Sequence, residues 1–231
     1  MMDDRKSGGG DSLSEPQGST LGRTELPELS ECPFGADLQK YWDRLSPRER
    51  LMSLDREALY SLTIQSVARD IAMKLRGETV LDPFCGAGGN VIAFAQAGKR
   101  VLASDKNPER LALAARNADL FGVSHLISFD IGDAVKVLET CSADAVYLDP
   151  PWGGPDYWQR GAFTLRDFSP DGRELLQQAL LFAREVAIKL PKNFALEELG
   201  TLNVAVRIQE DLFEGKRLGF TAFLSKDECI G

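Results

Sequence analysis

Residues 78–90 read ETVLDPFCGAGGN, and the fold is decided there. Val80 and Leu81 belong to a short buried strand, the chain breaks at Asp82-Pro83, and it then turns through Gly86, Gly88 and Gly89. From Asn90 the apolar-periodic run NVIAFAQAG predicts a helix that Gly98 stops. In a strand, glycine turn and helix of this kind the backbone can approach a ligand closely. The helix that follows offers free N–H groups in its first turn. A G-x-G loop alone says little, since tight strand-to-helix turns are common in α/β proteins. What distinguishes this one is Asp82 at the strand's end, a carboxylate that would repel a pyrophosphate and suits a ligand carrying an ammonium or a hydroxyl. The loop also lacks the Gly-Lys-Ser/Thr ending of a phosphate-gripping nucleotidase. These features favour an adenosine-type cofactor over a different ligand or a purely structural turn.

Working outward, apolar runs and turn residues predict strands over 79–82, 100–104, about 125–129, 144–149 and 185–190. Helices are expected over 90–97, 108–119, 133–140 and 171–184. Alternation of this kind implies an α/β fold with a mostly parallel sheet covered on both faces. Two further strands, about 203–209 and 218–224, flank the polar turn Glu214-Gly215-Lys216-Arg217 and must pair antiparallel. Upstream, residues 1–30 are Gly, Ser, Pro and charge, a composition expected to stay disordered. Residues 31–76 form a helical extension in this reading. Its parts are a short helix within FGADLQKYWDRL (34–45) and a longer one bearing Leu59, Leu62, Ile64, Val67, Ile71 and Leu75, ending near Gly77. Residues 77–231 make the main domain, with no internal repeat.

Asp82, Asp105, Asp133 and Asp149 each fall at or just after a strand's carboxyl end, where open α/β sheets bind ligands. Any one of them could be a helix cap or turn former. Four in succession point to a ligand crevice. The last of them opens DPPWGGPDYW at 149–158. Its prolines fix the backbone straight after a strand, and Trp152 beside Gly153 and Gly154 can serve as a platform for a flat heteroaromatic, better still a cationic one. The plainer alternative is a Trp that closes the bottom of a core.

Composition narrows the classes. Against 35 acidic residues stand 27 Lys and Arg, a net charge of −8, so any RNA contact needs a local positive patch. Cysteines 32, 85, 141 and 229 show no C-x-x-C spacing, and His125 is the single histidine, which leaves little for a metal site or a histidine-based triad. Cys85 is therefore read as a small loop residue and not as a nucleophile. A reducing, intracellular setting fits. No apolar run approaches the roughly 20 residues of a bilayer span, and MMDDRKSGGGD lacks the apolar core of a secretion signal.

Asp-Pro-Pro-aromatic after the fourth strand resembles the catalytic motif of class I methyltransferases that modify exocyclic amino groups of bases. The longer stretches DPFCGAGGNVIAFA (82–95), ASDKNPERLALAARNADLFGV (103–123) and DPPWGGPDY (149–157) resemble the trimethylguanosine synthase family. So do KYW (40–42), LDREALYSLT (54–63) and LPKN (190–193), so the resemblance covers nearly everything from residue 38 onward. That family methylates N2 of the 7-methylguanosine cap of small nuclear and nucleolar RNAs, using S-adenosylmethionine (SAM). The resemblance implies a Rossmann-like class I methyltransferase fold with a seven-stranded sheet, and a chain acting as a monomer on RNA through its 5′ cap. It implies no metal, no membrane, and a nuclear location in a eukaryote or a cytoplasmic one in a microbe.

By motif, the resemblance assigns Asp82 and the 85–89 loop, with Cys85, Gly86 and Gly88, to the methionine end of SAM, Asp105 to the ribose hydroxyls and Asp133 to the adenine amino group, with Phe84, Asn90, Lys106 and Ala134 completing the cofactor set. Asp149, Pro150 and Trp152 would be catalytic, with Trp152 stacking on the methylated guanine and Ser61 covering its other face. Lys40, Tyr157, Lys192 and Lys216 would meet the cap phosphates, and Thr63 and Asn193 complete the substrate set. Two departures stand out. Vertebrate-type members have Ser-Pro-Pro-Trp where this chain has Asp149, and Lys192 replaces a usual arginine, keeping the charge but losing its bidentate fork. In the chemistry implied, Asp149 and the carbonyl near Pro150 grip the hydrogens of a poorly nucleophilic amine, and no strong base is needed. A cationic ring would disfavour an arginine or lysine directly beneath it. The rival readings are a base-amine methyltransferase acting on uncapped rRNA, tRNA or DNA, a catalytically silent SAM-fold RNA-binding protein, and a protein or small-molecule methyltransferase.

Overall fold

Thr79–Asp82 (β1) is an interior strand of a seven-stranded sheet, and the strands after it are added first on one side of it and then on the other. In the computed structural model, residues 30–140, 142–153, 159 and 161–226 are described. After β1 come α4 (Gly89–Gln96), β2 (Arg100–Asp105), α5 (Pro108–Phe121), β3 (Ile127–Ile131), α6 (Ala134–Thr140) and β4 (Ala145–Leu148). Then follow α7 (Gly172–Phe182), β5 (Glu185–Pro191), β6 (Ala205–Phe213) and β7 (Lys216–Ser225). Before β1 lie the short α1 (Gln39–Trp42), α2 (Arg56–Ser61) and α3 (Gln65–Lys74). The sheet order is β3-β2-β1-β4-β5-β7-β6, parallel from β3 to β5. β7 is antiparallel to both of its neighbours. The order reverses at β1, between β2 and β4, which puts a ligand crevice at the carboxyl ends of β1 and β4.

Why the central strands read as continuous apolar runs is visible in the packing. Val80, Ala145, Tyr147 and Ala187 face one core with α3, α4 and α5. Leu81, Val146, Leu148, Val186 and Ile188 face the other, with α6 and α7. Strands covered on both faces have no polar side to show. The N-terminal extension shares the first core through Trp42, Leu45, Leu59 and Ile71. Polar ties reinforce it: Arg110 pairs with Asp55 at 2.9 Å and with Glu57 at 2.7 Å. Buried Asn117 accepts from the Ser53 amide (2.7 Å) and donates to the carbonyls of Ser53 (3.0 Å) and Ala87 (2.9 Å).

Three local expectations are corrected. The single helix expected through Leu59 and Leu75 is two, because Leu62 and Ile64 are extended. The break is held from outside, where buried Glu49 accepts the first amide of α3, that of Gln65, at 2.9 Å. The short helix expected within 34–45 is present as α1, entered through a 3-10 turn at Ala36–Leu38. β3 starts later than expected, since Gly122 ends α5 left-handed (φ 72°) and a 3-10 turn at Ser124–Leu126 comes first. The last turn is only Glu214 and Gly215, so Lys216 and Arg217 belong to β7. The leader expected at 1–30 (bar Ser30) and Tyr157 lie outside the described residues. Among the described residues, no helix is long and apolar enough to cross a membrane, and no group of three or more His, Cys, Asp or Glu could hold a metal ion.

Candidate active site

The glycine loop is strung between carboxylates. Asp82 Oδ1 accepts the Phe84 amide at 3.0 Å, which tightens the turn leaving β1. Asp105, at the end of β2, accepts the Gly86 amide at 3.1 Å through Oδ2 and that of Asn107 at 2.9 Å through Oδ1. The Cys85 amide donates to the Ser104 carbonyl at 2.9 Å, so loop and β2 end move as one body. Gly88 opens α4 at φ 93°, and a Cβ there would lie 3.2 Å from Cα of Ala114 on α5. Only glycine satisfies both demands.

Asp82 is 1% exposed, and its Oδ2 is buried without a hydrogen-bond partner. Burial drives its carboxyl well above the usual carboxylate range, and Asp149 and Asp105 add to the rise. A buried carboxylate oxygen lacking a partner fits a ligand with a positively charged end, as the ammonium and sulfonium of SAM provide. Burial first, then Asp82 and Asp105, also pushes the Cys85 thiol far up, which removes it as a nucleophile. Asp133 is exposed and caps α6, accepting the Val135 amide at 3.2 Å. Ala134 is buried beside it, Phe84 packs on the second core, and Lys106 is exposed.

At the end of β4, Asp149 is met by a residue that motif reading passed over. Lys189 of β5 donates to Asp149 Oδ2 at 2.9 Å, to Thr63 Oγ1 at 2.9 Å and to the Ser61 carbonyl at 3.2 Å. Asn90 of α4 donates to the same Thr63 oxygen at 3.1 Å. One lysine thus joins Ser61, Thr63 and Asp149, and Thr63 brings in Asn90. Its ammonium also lies 5.8 Å from the centre of the Trp152 ring. The Lys189 charge is answered there by Asp149. Burial raises the Asp149 carboxyl, and Lys189 opposes the rise by charge and hydrogen bond. Pro150 is buried, the Pro151 carbonyl accepts the Ser169 amide at 3.2 Å, and half-buried Trp152 packs on the second core.

The remaining candidates are dispersed. Asn193 donates to the Gly161 carbonyl at 2.8 Å, fastening the chain beyond the aromatic turn to the end of β5. Exposed Lys192 stands next to it. Pro191 pairs with Gly219, so the start of β7, with exposed Lys216, projects past the same end of the sheet. The Ser61 hydroxyl is turned back to the Glu57 carbonyl at 2.8 Å. Lys40 lies with its ammonium over the Tyr41 ring at 4.9 Å, within the extension. A lysine inside the apolar run VAIKLP was the available signal for Lys189, since an unpaired ammonium in such a strand is costly.

The family model for RNA cap guanine-N2 methyltransferases matches residues 77–219, which takes in the glycine loop, the aromatic turn and Lys189. The chain belongs to the RNA cap guanine-N2 methyltransferase family. It is 30% identical over 209 residues to the trimethylguanosine synthase of Schizosaccharomyces pombe, covering 81% of this chain and 87% of that one. To the trimethylguanosine synthase of Saccharomyces cerevisiae it is 32% identical over 192 residues, covering 74% of this chain and 60% of that one. A SAM-dependent O-methyltransferase from Thermotoga maritima shares the fold, with a TM-score of 0.54 at 18% identity over 71% of this chain and 66% of that one. As a member of the cap guanine-N2 methyltransferase family the chain is a SAM-dependent RNA methyltransferase with a class I fold.

Proposed function

We propose that this enzyme transfers a methyl group to the exocyclic N2 of a 7-methylguanosine RNA cap, with Asp149 accepting the amine's hydrogens and Trp152 carrying the ring. One observation carries the assignment of roles. Asp149 Oδ2 is taken by Lys189, while among the described residues its Oδ1 accepts no hydrogen bond, and Trp152 lies three residues on in the same turn. A carboxylate oxygen there, together with the Pro150 carbonyl, can draw the two hydrogens of an aryl amine. That loosens the lone pair from the ring and aims it. SAM supplies the electrophilic methyl group. In this reading Asp82 meets its cationic end, Asp105 the ribose, and Asp133 the adenine. Lys192 and Lys216 form the positive rim that an overall charge of −8 does not provide. Asp133 now caps α6 and Asp105 holds the loop, so each would serve ligand and backbone at once.

The test is methyl transfer from labelled SAM to two matched dinucleotides, one with a 7-methylguanosine cap and one with an unmethylated guanosine cap, with product mass as readout. Turnover confined to the 7-methylated cap is the expected result. Turnover with neither, in protein that binds SAM, would redirect the reading to uncapped RNA.

A further inference from the structure

Every residue of β5 is buried except Lys189, which is half-buried. An ammonium has three N–H donors, and here all three have acceptors: Asp149 Oδ2, Thr63 Oγ1 and the Ser61 carbonyl. Side chains of the ion pair are each 14% exposed, so solvent screens them little. Asp82 at the end of β1, Tyr147 on β4 and Asp211 on β6 lie within reach of the Asp149 charge, which adds to burial in raising the pKa of all three. Without a cation, burial would favour a protonated Asp149. A protonated carboxyl would offer a hydrogen where the amine's hydrogens need an acceptor. The lysine meets Asp149 through Oδ2, and among the described residues nothing donates to Oδ1. Two of its three acceptors lie on the stretch that leads from α2 to α3, the Ser61 carbonyl at the end of α2 and Thr63 Oγ1 beyond it, so the lysine is fully engaged only when that stretch is docked.

We propose that Lys189 is a positioning residue for methyl transfer, pinning one oxygen of Asp149 so that the other serves the amine, and linking that arrangement to docking of the Ser61–Thr63 segment. The proposal rests on the reading of Asp149 as the amine's acceptor.

Steady-state kinetics with SAM and the 7-methylguanosine-capped dinucleotide, taken across pH, provide the test. In K189M we expect kcat to fall about tenfold to a hundredfold, the loss typical of a misplaced catalytic group. KM for SAM should stay within about twofold, and the acid limb of kcat should move to higher pH, because Asp149 loses the cation that keeps it ionised. K189R should restore most of kcat with the wild-type acid limb. On a D149N background, which has no charge to hold, K189M should cost little more. An unchanged kcat and acid limb in K189M, with D149A impaired, would overturn the role given to Lys189. An unimpaired D149A would instead overturn the acceptor reading beneath it. Should K189M fail to fold, K189Q answers the same question: its acid limb moves if the charge matters, and the proposal fails if it does not.

Discussion

Thr79 and Asp144 grip each other reciprocally: Asp144 Oδ2 accepts both the amide and the hydroxyl of Thr79 at 2.9 Å, and the Asp144 amide donates back to Thr79 Oγ1 at 2.9 Å. This clasp joins the starts of β1 and β4, the two strands whose far ends carry Asp82 and Asp149. Hydrogen bonds from Thr79, then from Glu78, hold the Asp144 carboxyl below its ordinary value. A depressed folded-state value stabilises above the unfolded value of about 3.9 and is lost as pH falls through the folded one. D144A should therefore cost about 1 kcal/mol at neutral pH, a figure discounted for the site's exposure. Urea unfolding of both proteins should show that difference shrinking as the pH falls below about 4. A difference independent of pH would refute the role of the charge.

Asp82 has the opposite sign. Burial holds its carboxyl well above the usual range, and an oxygen without a partner awaits a cation. Binding of SAM should favour the ionised form and so release protons. Titration calorimetry in buffers of different ionisation enthalpy should detect that release, with SAM affinity rising as pH increases. D82N should abolish both effects and weaken SAM binding.

Base stacking on a tryptophan is worth about 1–3 kcal/mol, so W152A should weaken cap binding by roughly fivefold to a hundredfold. SAM affinity, measured separately, should be unchanged. Because Trp152 packs only partly on the second core, a modest drop in melting temperature is expected as well. Intact cap affinity in W152A would remove the stacking role.

At Gly88 two constraints coincide, a φ of 93° and a Cβ position 3.2 Å from Cα of Ala114. G88A should destabilise the fold by about 1–3 kcal/mol through backbone strain and overpacking. SAM affinity should fall with it, since α4 and α5 can no longer meet at the loop. Gly98, where a Cβ meets nothing within 4 Å although φ is +83°, is the control for backbone strain alone.

What could be read from the chain was whatever rests on local rules. The glycine turn after β1 and the Asp-Pro-Pro-Trp turn after β4 are contiguous, and their residues stand where spacing put them. The α2–α3 break was hidden because Leu62 and Ile64 keep the helical period, while the group enforcing the break is Glu49, sixteen residues before Gln65. Lys189 was overlooked for a related reason. Its meaning comes from Asp149, Thr63 and Ser61, which are 40 and more residues away. Asn117, which fastens Ser53 and Ala87 together, likewise gave no pattern to notice. Pairwise polar contacts across sequence distance leave no periodicity behind.

The sheet's strand order also bears on how the protein is made. β6 leaves the ribosome before β7, yet β7 lies between β5 and β6 and is hydrogen-bonded to both. Until it emerges, β5 presents an open edge one strand from the Asp149 turn, and β6 has no partner to settle against. Unpaired edges of this kind invite wrong pairing with other chains. The nascent protein thus has its whole cofactor loop in hand while its sheet remains unfinished, and a stop codon before β7 should yield an aggregate and not a smaller enzyme.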